Sequence, residues 1–565
     1  MIKLNSQIYK VIAAIVSVVF ISGFAHAQNA KELSIGTNTE FETLNPIIAS
    51  VGASKYMLYL ATRPWTYMDE KNEWKTSIFK RIPNLKDKSM KIVTEGGKKK
   101  LIATWEFIDG LKWGDGHPIT CKDAKFTWEV GLSPNTSLPT KEGYENIESV
   151  EWDEKTPTKC NIKYKVAKWN FYVDSHTLLL PEHLEGPIFQ KWGKEKEGYD
   201  RNTLYQKDPT QKGLWNGPYV VSEVKLGSHV VFAANPNFYG SKPKIQKIII
   251  RIIPNAGTLE ANLRSKNIQK ICRIGMTLDQ ALAFDKKVKE ENLPYKVEFQ
   301  DGITYAHIDV NTTHPILSDL KVRQALSYAT NKDDINKSIF EGKVTVANSM
   351  TSPLDSLYTA DSKIVKVYKT DKKLARKMLD EAGWKLGPDG FRYKNGQKLT
   401  FKLVGAAGLK QIETLQAILQ SQWKDVGVDL QLKTDPTRLL FSETLRKRNF
   451  DMAVFSWSSF PGLGNESVLH SKNIPTEKNS WTGQNYHGYS SPKLDKLTEE
   501  YDYEFDFKKR KKITEEIMKE YTENVPVIPL YFRPEVAVIP KNMKNFKMYG
   551  HYYYESLQAE NWDLE

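Results

Sequence analysis

The sequence predicts an α/β fold, because helical and strand patterns alternate along both halves of the chain. Val322, Ala325, Leu326 and Ala329 follow the i, i+3, i+4, i+7 spacing of an amphipathic helix. Residues 245–253 are β-branched and nearly continuous, which is typical of a strand buried on both faces. The 565 residues exceed what a single hydrophobic core can hold, so we expect two or three lobes.

The N-terminus predicts a cleaved secretory signal peptide over residues 1–27. Lys3 and Lys10 give a short positive region, residues 11–23 are mostly apolar, and Ala25-His26-Ala27 is a small-x-small cleavage pattern. The alternative is a membrane anchor, but the apolar run falls well short of the roughly 20 residues that span a bilayer. No Cys stands directly after this run as a lipid-attachment site, so we expect a periplasmic protein without a lipid anchor.

The early part of the mature chain predicts strands, turns and one helix with a defined start. Residues 32–36 alternate as a strand, which Leu44-Asn45-Pro46 ends with a turn. Residues 101–107 alternate again. A helix is predicted to begin near Thr120, with Asp123 in its first turn, where a negative charge suits the helix dipole.

The later part predicts strands from Gly217 onward and then alternating helices and strands. The predicted helices cover residues 258–264, 322–329, 374–382, 412–423 and 511–521, and the second half adds predicted strands at 428–432, 452–455 and 525–531. Gly383 supplies the stop of the third of these helices. No internal repeat or low-complexity tract interrupts this order.

The three cysteines leave two arrangements open. Cys121 and Cys160 fall in one presumed lobe and either form a disulfide or remain as two buried thiols. An odd number of cysteines in an oxidising compartment leaves at least one thiol free. The spacing does not resemble a metal site, and we predict no metal and no cofactor.

The formal net charge is +13, but its distribution argues against nucleic-acid binding. Lys and Arg are scattered beside Asp and Glu, and the one dense run, Lys98-Lys99-Lys100, follows a Gly-Gly pair as at a hairpin tip. No recognition helix or stacking sheet accompanies the charge. We therefore interpret the basic residues as a solvated surface.

The sequence offers no catalytic constellation. A Gly-rich phosphate loop, a His-Glu-x-x-His motif, a Cys-x-x-Cys motif and a nucleophile elbow are all missing. His307 and Asp309 lie at i and i+2 on one strand face, and His551 precedes three tyrosines, but we interpret each histidine as structural. We predict that the protein is not an enzyme.

Residues 105–129 resemble the strand–turn–helix signature of the family 5 extracellular solute-binding proteins, the oligopeptide-, dipeptide- and nickel-binding components of ABC importers. Four further stretches resemble the family in the same order, so the resemblance covers nearly the whole mature chain. These stretches are residues 33–46, residues 217–219 with 235–240 and 244–249, residues 319–329 and residues 488–497.

The resemblance implies a periplasmic binding protein type II-like architecture with two hinged lobes and an extra inserted α+β lobe. Ligand is expected between the two lobes, which close by a hinge. The implied lobe I comprises residues 28–60, 214–305 and 525–565, the inserted lobe II residues 61–213, and lobe III residues 306–524.

The resemblance also implies which residues grip the ligand. Peptide binders of the family hold the peptide main chain as an added strand. By analogy, the grip here comes from Ser50-Val51-Gly52 and from the run Ser456-Trp457-Ser458-Ser459-Phe460, and Asn485 is assigned to the same cleft. The family's Asp for the peptide α-ammonium is replaced by Phe460. Either another acid such as Glu466 takes that charge, or the ligand carries no ammonium there.

These features predict a monomeric substrate-binding protein that captures small peptides and delivers them to an ABC permease in the inner membrane. Another polar solute, such as a sugar, a cell-wall fragment or a metal chelate, remains the alternative ligand. An envelope hydrolase acting on peptides or murein is the alternative from a different class.

Overall fold

The computed structural model describes residues 32–173, 178–459 and 465–565. The predicted signal peptide and Phe460 lie outside these ranges. Within them, none of the helices is both long enough and apolar enough to cross a membrane.

The strands are short except for two. In chain order they are β1 Glu32–Thr37, β2 Thr66–Met68, β3 Trp74–Thr76, β4 Met90–Glu95, β5 Lys98–Glu106, β6 Ile147–Glu151, β7 Lys159–Tyr164, β8 Tyr219–Lys225, β9 His229–Ala234, β10 Lys247–Ile252, β11 Lys270–Ile271, β12 Tyr295–Val310, β13 Thr345–Val346, β14 Lys385–Leu386, β15 Arg392–Lys394, β16 Gln397–Lys398, β17 Thr400–Ala406, β18 Asp429–Asp435, β19 Met452–Ser458, β20 Val527–Pro540, β21 Met543–Lys544 and β22 Asp563–Leu564.

The helices lie mainly between these strands. They are α1 Gly52–Ala61, α2 Cys121–Leu132, α3 Glu142–Glu145, α4 Glu182–Trp192, α5 Gly198–Asn202, α6 Leu204–Lys207, α7 Ala256–Arg264, α8 Leu278–Glu290, α9 Leu320–Ala329, α10 Lys332–Phe340, α11 Lys372–Glu381, α12 Lys410–Lys424, α13 Thr437–Leu439, α14 Glu466–Leu469, α15 Pro492–Tyr503 and α16 Phe507–Asn524. Short 3₁₀ helices cover Lys212–Leu214, Ser471–Asn473, Glu477–Asn479 and Glu555–Asn561, and a π-helix covers Leu440–Leu445.

One mixed sheet runs through the molecule in the order β18-β17-β19-β12-β20-β11-β1-β10-β9-β8, with β13 also paired to β20. Strands β12 and β20 are long and antiparallel. One end of this pair, Tyr295–Gln300 against Glu535–Pro540, adjoins β11; we call the β11-to-β8 side the near half of the sheet. The other end adjoins β19, and we call the β19-to-β18 side the far half. A register shift between Gln300 and Thr304 separates the two halves.

The near half is held together by buried aliphatic strands. β1 pairs in parallel with β10, which places Leu33 and Ile35 beside Ile248 and Ile250, all of them fully buried. This confirms the predicted strand at residues 32–36 and the doubly buried strand within 245–253. Burial of this apolar surface stabilises the half by roughly 25 cal/mol per Å² removed from water.

A separate four-stranded antiparallel sheet, β4-β5-β7-β6, packs against α2. Thr120 and Asp123 form a reciprocal capping box at the start of α2, which confirms the predicted helix start. Cys121, the first residue of α2, is bonded to Cys160 on β7. The structure therefore selects the disulfide over the paired thiols, and the third cysteine, Cys272, is free and buried.

The far half carries α9, α11 and α12 on one face of the sheet. Val322, Ala325, Leu326 and Ala329 are completely buried, as the helical spacing predicts. Gly383 follows α11 with φ of 89°, a left-handed conformation that glycine adopts without steric cost. The predicted strand at 525–531 is longer than expected, because β20 continues to Pro540 along β12.

Removing the disulfide should destabilise the part of the molecule built on β4–β7. Replacing Cys121 and Cys160 with Ser opens a loop of 39 residues, and the greater chain entropy of the unfolded state should cost about 2–4 kcal/mol of unfolding free energy. Urea unfolding followed by tryptophan fluorescence measures this loss.

Alkylation of the denatured wild-type protein provides the control. One thiol should react before reduction and three after it, since the chain has three cysteines. Three reactive thiols without reduction would contradict the bond.

Candidate functional site

The strands β12 and β19 place a row of polar and aromatic side chains on one face of the far half. Their antiparallel register sets Tyr305 beside Trp457 and His307 beside Phe455. Because side chains alternate along a strand, these residues share a face with Asp309. Ala306, Ile308 and Val310 point to the opposite face and belong to the main hydrophobic core.

A small cavity lies over this face, beside Trp457. Its aromatic lining consists of Tyr305, Phe455, Trp457, Tyr486 and Tyr521. The other lining residues are His307, Asp309, Met350, Val468, Leu469, Gln484, His487 and Val527. Among all of these, only Met350, Trp457, Val468 and Gln484 are partly exposed, so they form its mouth.

The buried pair His307 and Asp309 forms the polar floor of the cavity. Nε2 of His307 lies 3.3 Å from Oδ1 of Asp309, and Nδ1 lies 3.2 Å from the carbonyl oxygen of Tyr305. The imidazole ring stacks on the Tyr305 ring at 4.7 Å. Both side chains are about 95% buried. A structural role for His307, as interpreted from the sequence, agrees with the stacking of its ring on Tyr305. The role of Asp309 is not explained by that interpretation.

His487 lies in the same lining and stays neutral at physiological pH. Burial, partly opposed by the nearby Asp309 carboxylate, lowers the pKa of His487 to about 4. Its Nδ1 accepts a hydrogen bond from the backbone N–H of Tyr489 at 3.1 Å. His487 therefore adds no positive charge to the cavity.

Among the described residues, no strand pairs with one of the two edges at the end of β19. The backbone N–H of Ser459 donates to Ile303 and that of Asn311 donates to Asp451, so odd-numbered residues of β19 bond to β12. The even-numbered Ser456 and Ser458 direct their backbone groups to the other edge. On that edge β17 pairs with β19 only at Met452 and Ala453.

Ser459 is held in place by its own side chain. Its hydroxyl donates to the carbonyl of Met350 at 2.6 Å and accepts from the N–H of Ser352 at 3.2 Å. Trp457 stacks on Phe441 at 6.3 Å and meets Phe455 edge-on at 6.2 Å. The open strand end is thus fixed beside the mouth of the cavity.

The predicted segment Ser50-Val51-Gly52 leads into α1 in the near half. The backbone N–H groups of Ser50 and Val51 both donate to the carboxylate of Glu42. Partial burial opposes ionisation of Glu42, but these hydrogen bonds outweigh it and lower its pKa. Two of the donors assigned to the ligand are therefore already occupied. A Cβ at Gly52 would lie 2.7 Å from the hydroxyl of Tyr554, so the segment fits tightly there.

Asn485 is completely buried and engaged within its own loop. Its Nδ2 lies within 3.3 Å of the carbonyls of Leu469, His470 and Tyr489, and its Oδ1 accepts from the N–H of Gly488. Direct ligand contact by Asn485 stays a prediction. Its hydrogen bonds position the neighbouring Tyr486 and His487 in the cavity lining.

The structure does not bring all the predicted residues together. In the described part of the chain, no hydrogen bond, ion pair or ring contact joins residues 50–52 to residues 456–459. Phe460 lies outside the described residues. Glu466, the alternative acid, forms an ion pair with Lys472.

The part of the chain that contains β4–β7, predicted above as the inserted lobe and called the insert below, touches the far half directly. The N–H of Trp169 donates to the carbonyl of Asp502, and Nζ of Lys168 lies 3.0 Å from the Asp502 carboxylate. Arg510 lies 3.8 Å over the Trp169 ring, and Tyr501 meets that ring edge-on. This contact bridges the insert and the far half without using the β12–β20 connection.

A family profile described as "Bacterial extracellular solute-binding proteins, family 5 Middle" matches residues 98–480. The chain belongs to this family. The match confirms the resemblance that residues 105–129 predict. Family 5 proteins bind solutes, which agrees with the predicted class of function.

Relatives of the family 5 chain extend over nearly its whole length. The oligopeptide-binding protein AppA of Bacillus subtilis is 27% identical over 525 residues, covering 92% of this chain and 89% of the relative. The structure of Bacillus subtilis AppA in complex with a nonapeptide is similar with a TM-score of 0.64 and 26% identity, covering 94% and 99% of the two chains.

A further structure supports the fold alone. NikA from Brucella suis in complex with Fe(III)-EDTA is similar with a TM-score of 0.74 and 18% identity, covering 94% of this chain and all of the other. These comparisons confirm the predicted α/β, type II-like class. The described residues of this family 5 chain contain no group of three or more His, Cys, Asp or Glu side chains placed to hold a metal.

Sequence reasoning missed the cavity itself. His307 and Asp309 were visible as an i, i+2 pair, but Tyr486, His487 and Tyr521 come from a loop and a helix far along the chain. Only the fold places them over β12, because strand periodicity identifies a shared face and not what covers that face.

His487 should make the protein less stable in acid. Its pKa of about 4 in the folded state lies below the usual 6.5, so the unfolded state binds more protons between these values. The contribution of His487 to the free energy of unfolding is therefore fully present above about pH 6.5. It falls by about 2–3 kcal/mol as the pH falls toward 4. Urea unfolding at pH 7.5 and pH 4.5 measures the loss, which should be smaller in His487→Gln. Equal losses in both proteins would contradict this assignment.

Proposed function

We propose that this family 5 protein captures peptides between the near and far halves and delivers them unaltered to an ABC permease. The observation that carries the proposal is the open edge of β19 at Ser456 and Ser458, beside Trp457. An extended peptide can add to such an edge as a further strand, because its main chain supplies the missing donors and acceptors. The names of the AppA relatives, an oligopeptide-binding protein and a nonapeptide complex, support this choice of ligand.

The energetics of an added strand suit capture and release. Each main-chain hydrogen bond contributes about 0.5–1.5 kcal/mol net, whichever side chains the peptide carries. Micromolar binding requires about 8 kcal/mol, so several such bonds plus apolar burial against Trp457 suffice. Binding of this kind leaves the peptide bond intact, and we propose a binding role without catalysis.

We propose that the hinge lies where β12 and β20 pass between the halves, at residues 301–303 and 533–535. The β12–β20 ladder is interrupted between the pairs Gln300–Glu535 and Thr304–Arg533, so fewer hydrogen bonds between these two strands oppose bending there. A Cβ at Gly302 would lie 2.3 Å from the carbonyl oxygen of Arg533, so glycine permits the close approach of the two strands. This places the second crossing later than residue 525, the boundary predicted from the sequence.

We also propose that the chain is exported by its N-terminal signal and acts as a monomer in the periplasm without a lipid anchor. Delivery to a permease follows from the importer class to which the family belongs. The contacts of Trp169 with the far half support closure, because they join the insert to the far half at a second place.

Proline at the open edge should weaken peptide binding. Ser458→Pro removes the backbone N–H that faces the edge, and the loss of one hydrogen bond should lower affinity about threefold to tenfold. Ser458→Ala keeps the N–H and is the matched control. Native mass spectrometry against a pool of synthetic random pentapeptides compares the retained peptide in both variants and the wild type.

Equal retention by the proline and alanine variants would rule out main-chain binding at this edge. The same spectra separate binding from hydrolysis, since a binding protein returns peptides of unchanged mass. Shortened peptides would favour the alternative of an envelope hydrolase.

A further inference from the structure

We propose that the cavity beside Trp457 is a cation subsite, in which Asp309 receives an ammonium or guanidinium group of the bound peptide. This inference rests on the proposed function and names the chemistry that the site selects. It assigns a ligand role to a strand residue, Asp309, that lies far in sequence from the position of Phe460.

The carboxylate of Asp309 is buried with the His307 ring as its neighbouring partner. It is 4% exposed, and the one group at ion-pair distance is the His307 ring at 3.3 Å. In the described ranges, no other N–H or O–H group donates a hydrogen bond to either carboxylate oxygen of Asp309. A buried carboxylate in such surroundings costs free energy unless a cation or several donors approach it.

A second buried aspartate of the same sheet shows how this chain satisfies a carboxylate that has only a structural role. Asp435 at the end of β18 is also 4% exposed. It accepts from the hydroxyl of Thr444 at 2.6 Å and lies 3.1 Å from Nζ of Lys433. Among the described residues, Asp309 has the His307 ring alone as a partner, and it faces a cavity with room for a visiting group.

Among the described lining residues, His307 is the one side chain that can offer Asp309 a positive charge. No Lys or Arg appears among the described residues that line the cavity. Burial keeps His487 neutral, and besides His307 the titratable neighbours are Tyr305, Tyr486 and Tyr521, whose phenols carry no positive charge. The carboxylate therefore faces a space that a cation can enter from the mouth.

The walls fit an organic cation with an apolar stem. The aromatic rings of the lining can place their electron-rich faces toward an ammonium or guanidinium group, an interaction that strengthens when water is excluded. Met350 and Val468 at the mouth offer apolar contact to methylene groups. A bare metal ion fits less well, because hard cations need about six oxygen ligands and the cavity offers one carboxylate.

The size of the cavity indicates a subsite rather than a whole binding site. It offers about 40 Å³ of room to water-sized groups, whereas pockets for complete small ligands reach roughly 300 Å³ or more. One functional group of a peptide fits there while its main chain lies on the open edge of β19. The protein as a whole has a formal charge of +13, so its overall field opposes a cationic ligand and the local carboxylate has to supply the preference.

The test compares wild type, Asp309→Asn and the matched control Asp435→Asn. Each is incubated with two pools of synthetic random pentapeptides, one with free N-termini and one N-acetylated. The retained peptides are identified by mass spectrometry and compared with the input. Wild type and Asp435→Asn should enrich cationic peptides about tenfold or more, and Asp309→Asn should lose that enrichment.

The two pools separate the sources of the cation. Enrichment of Lys or Arg within the acetylated pool assigns the subsite to a basic side chain. Enrichment of free over acetylated peptides, without a preference for Lys or Arg, assigns it to the α-ammonium. Either result supports the inference.

Other outcomes overturn it. If all three proteins retain peptides with the same composition, the cation subsite is wrong while peptide capture stands. If none of them retains any peptide, the proposed function fails and the subsite fails with it. If the wild type shows no enrichment of cationic peptides, the inference fails, whether or not the variants fold.

Thermal unfolding without ligand adds a second readout. Replacing a buried carboxylate that has the His307 ring as its one described partner with an amide of the same shape should raise the melting temperature of Asp309→Asn. Asp435→Asn should lower it, because its carboxylate is satisfied by donors. A fall in Asp309→Asn equal to that of Asp435→Asn would assign Asp309 to structural support and contradict a ligand role.

Discussion

Strands β12 and β20 remain paired from Tyr295 opposite Pro540 to Asp309 opposite Val527, with an interruption between Gln300 and Thr304. Each half of the molecule builds its own strands onto one end of this pair, so the pair holds both halves in one sheet. The backbone hydrogen bonds fix the register on either side, whereas the interruption concentrates any bending at one place. Contacts away from this pair, such as that of the Arg510 guanidinium with the Trp169 ring, add to the connection that β12 and β20 already make.

The same pairing decides which side chains meet in the cavity. β12 alternates apolar residues toward the helices and polar or aromatic residues toward the opposite face, and a second register shift lies beside His307. The extra residue of a bulge changes the local twist and re-aims side chains. Because β19 is in register with β12 over seven residue pairs, Trp457 is fixed beside Tyr305, and the cavity mouth and the open strand edge become neighbours.

Local structure was largely predictable, because periodicity and capping are local properties. The stripe from Val322 to Ala329, the capping box at Thr120 and the stop at Gly383 each depend on a few consecutive residues. The pairing of Cys121 with Cys160 and the length of β20 depend on distant partners, so the sequence left them open or too short. The site was only partly predictable for the same reason. Residues 50–52 and Asn485 are assigned by analogy, whereas Glu42 occupies the N–H groups of Ser50 and Val51 and neighbouring carbonyls occupy the side-chain amide of Asn485.

Main-chain binding and a charged subsite perform different tasks at one site. Hydrogen bonds to the peptide backbone have nearly the same strength for every sequence, so they supply affinity without discrimination. Discrimination requires a group whose interaction differs between ligands, and a buried carboxylate differs strongly because only a cation offsets its desolvation. Asp309 lies on the strand that carries the far half, which fixes the carboxylate before the ligand arrives. Under the proposed function, a rigid, buried charge beside an open strand edge would allow a protein that accepts many peptides to prefer those that carry a positive group.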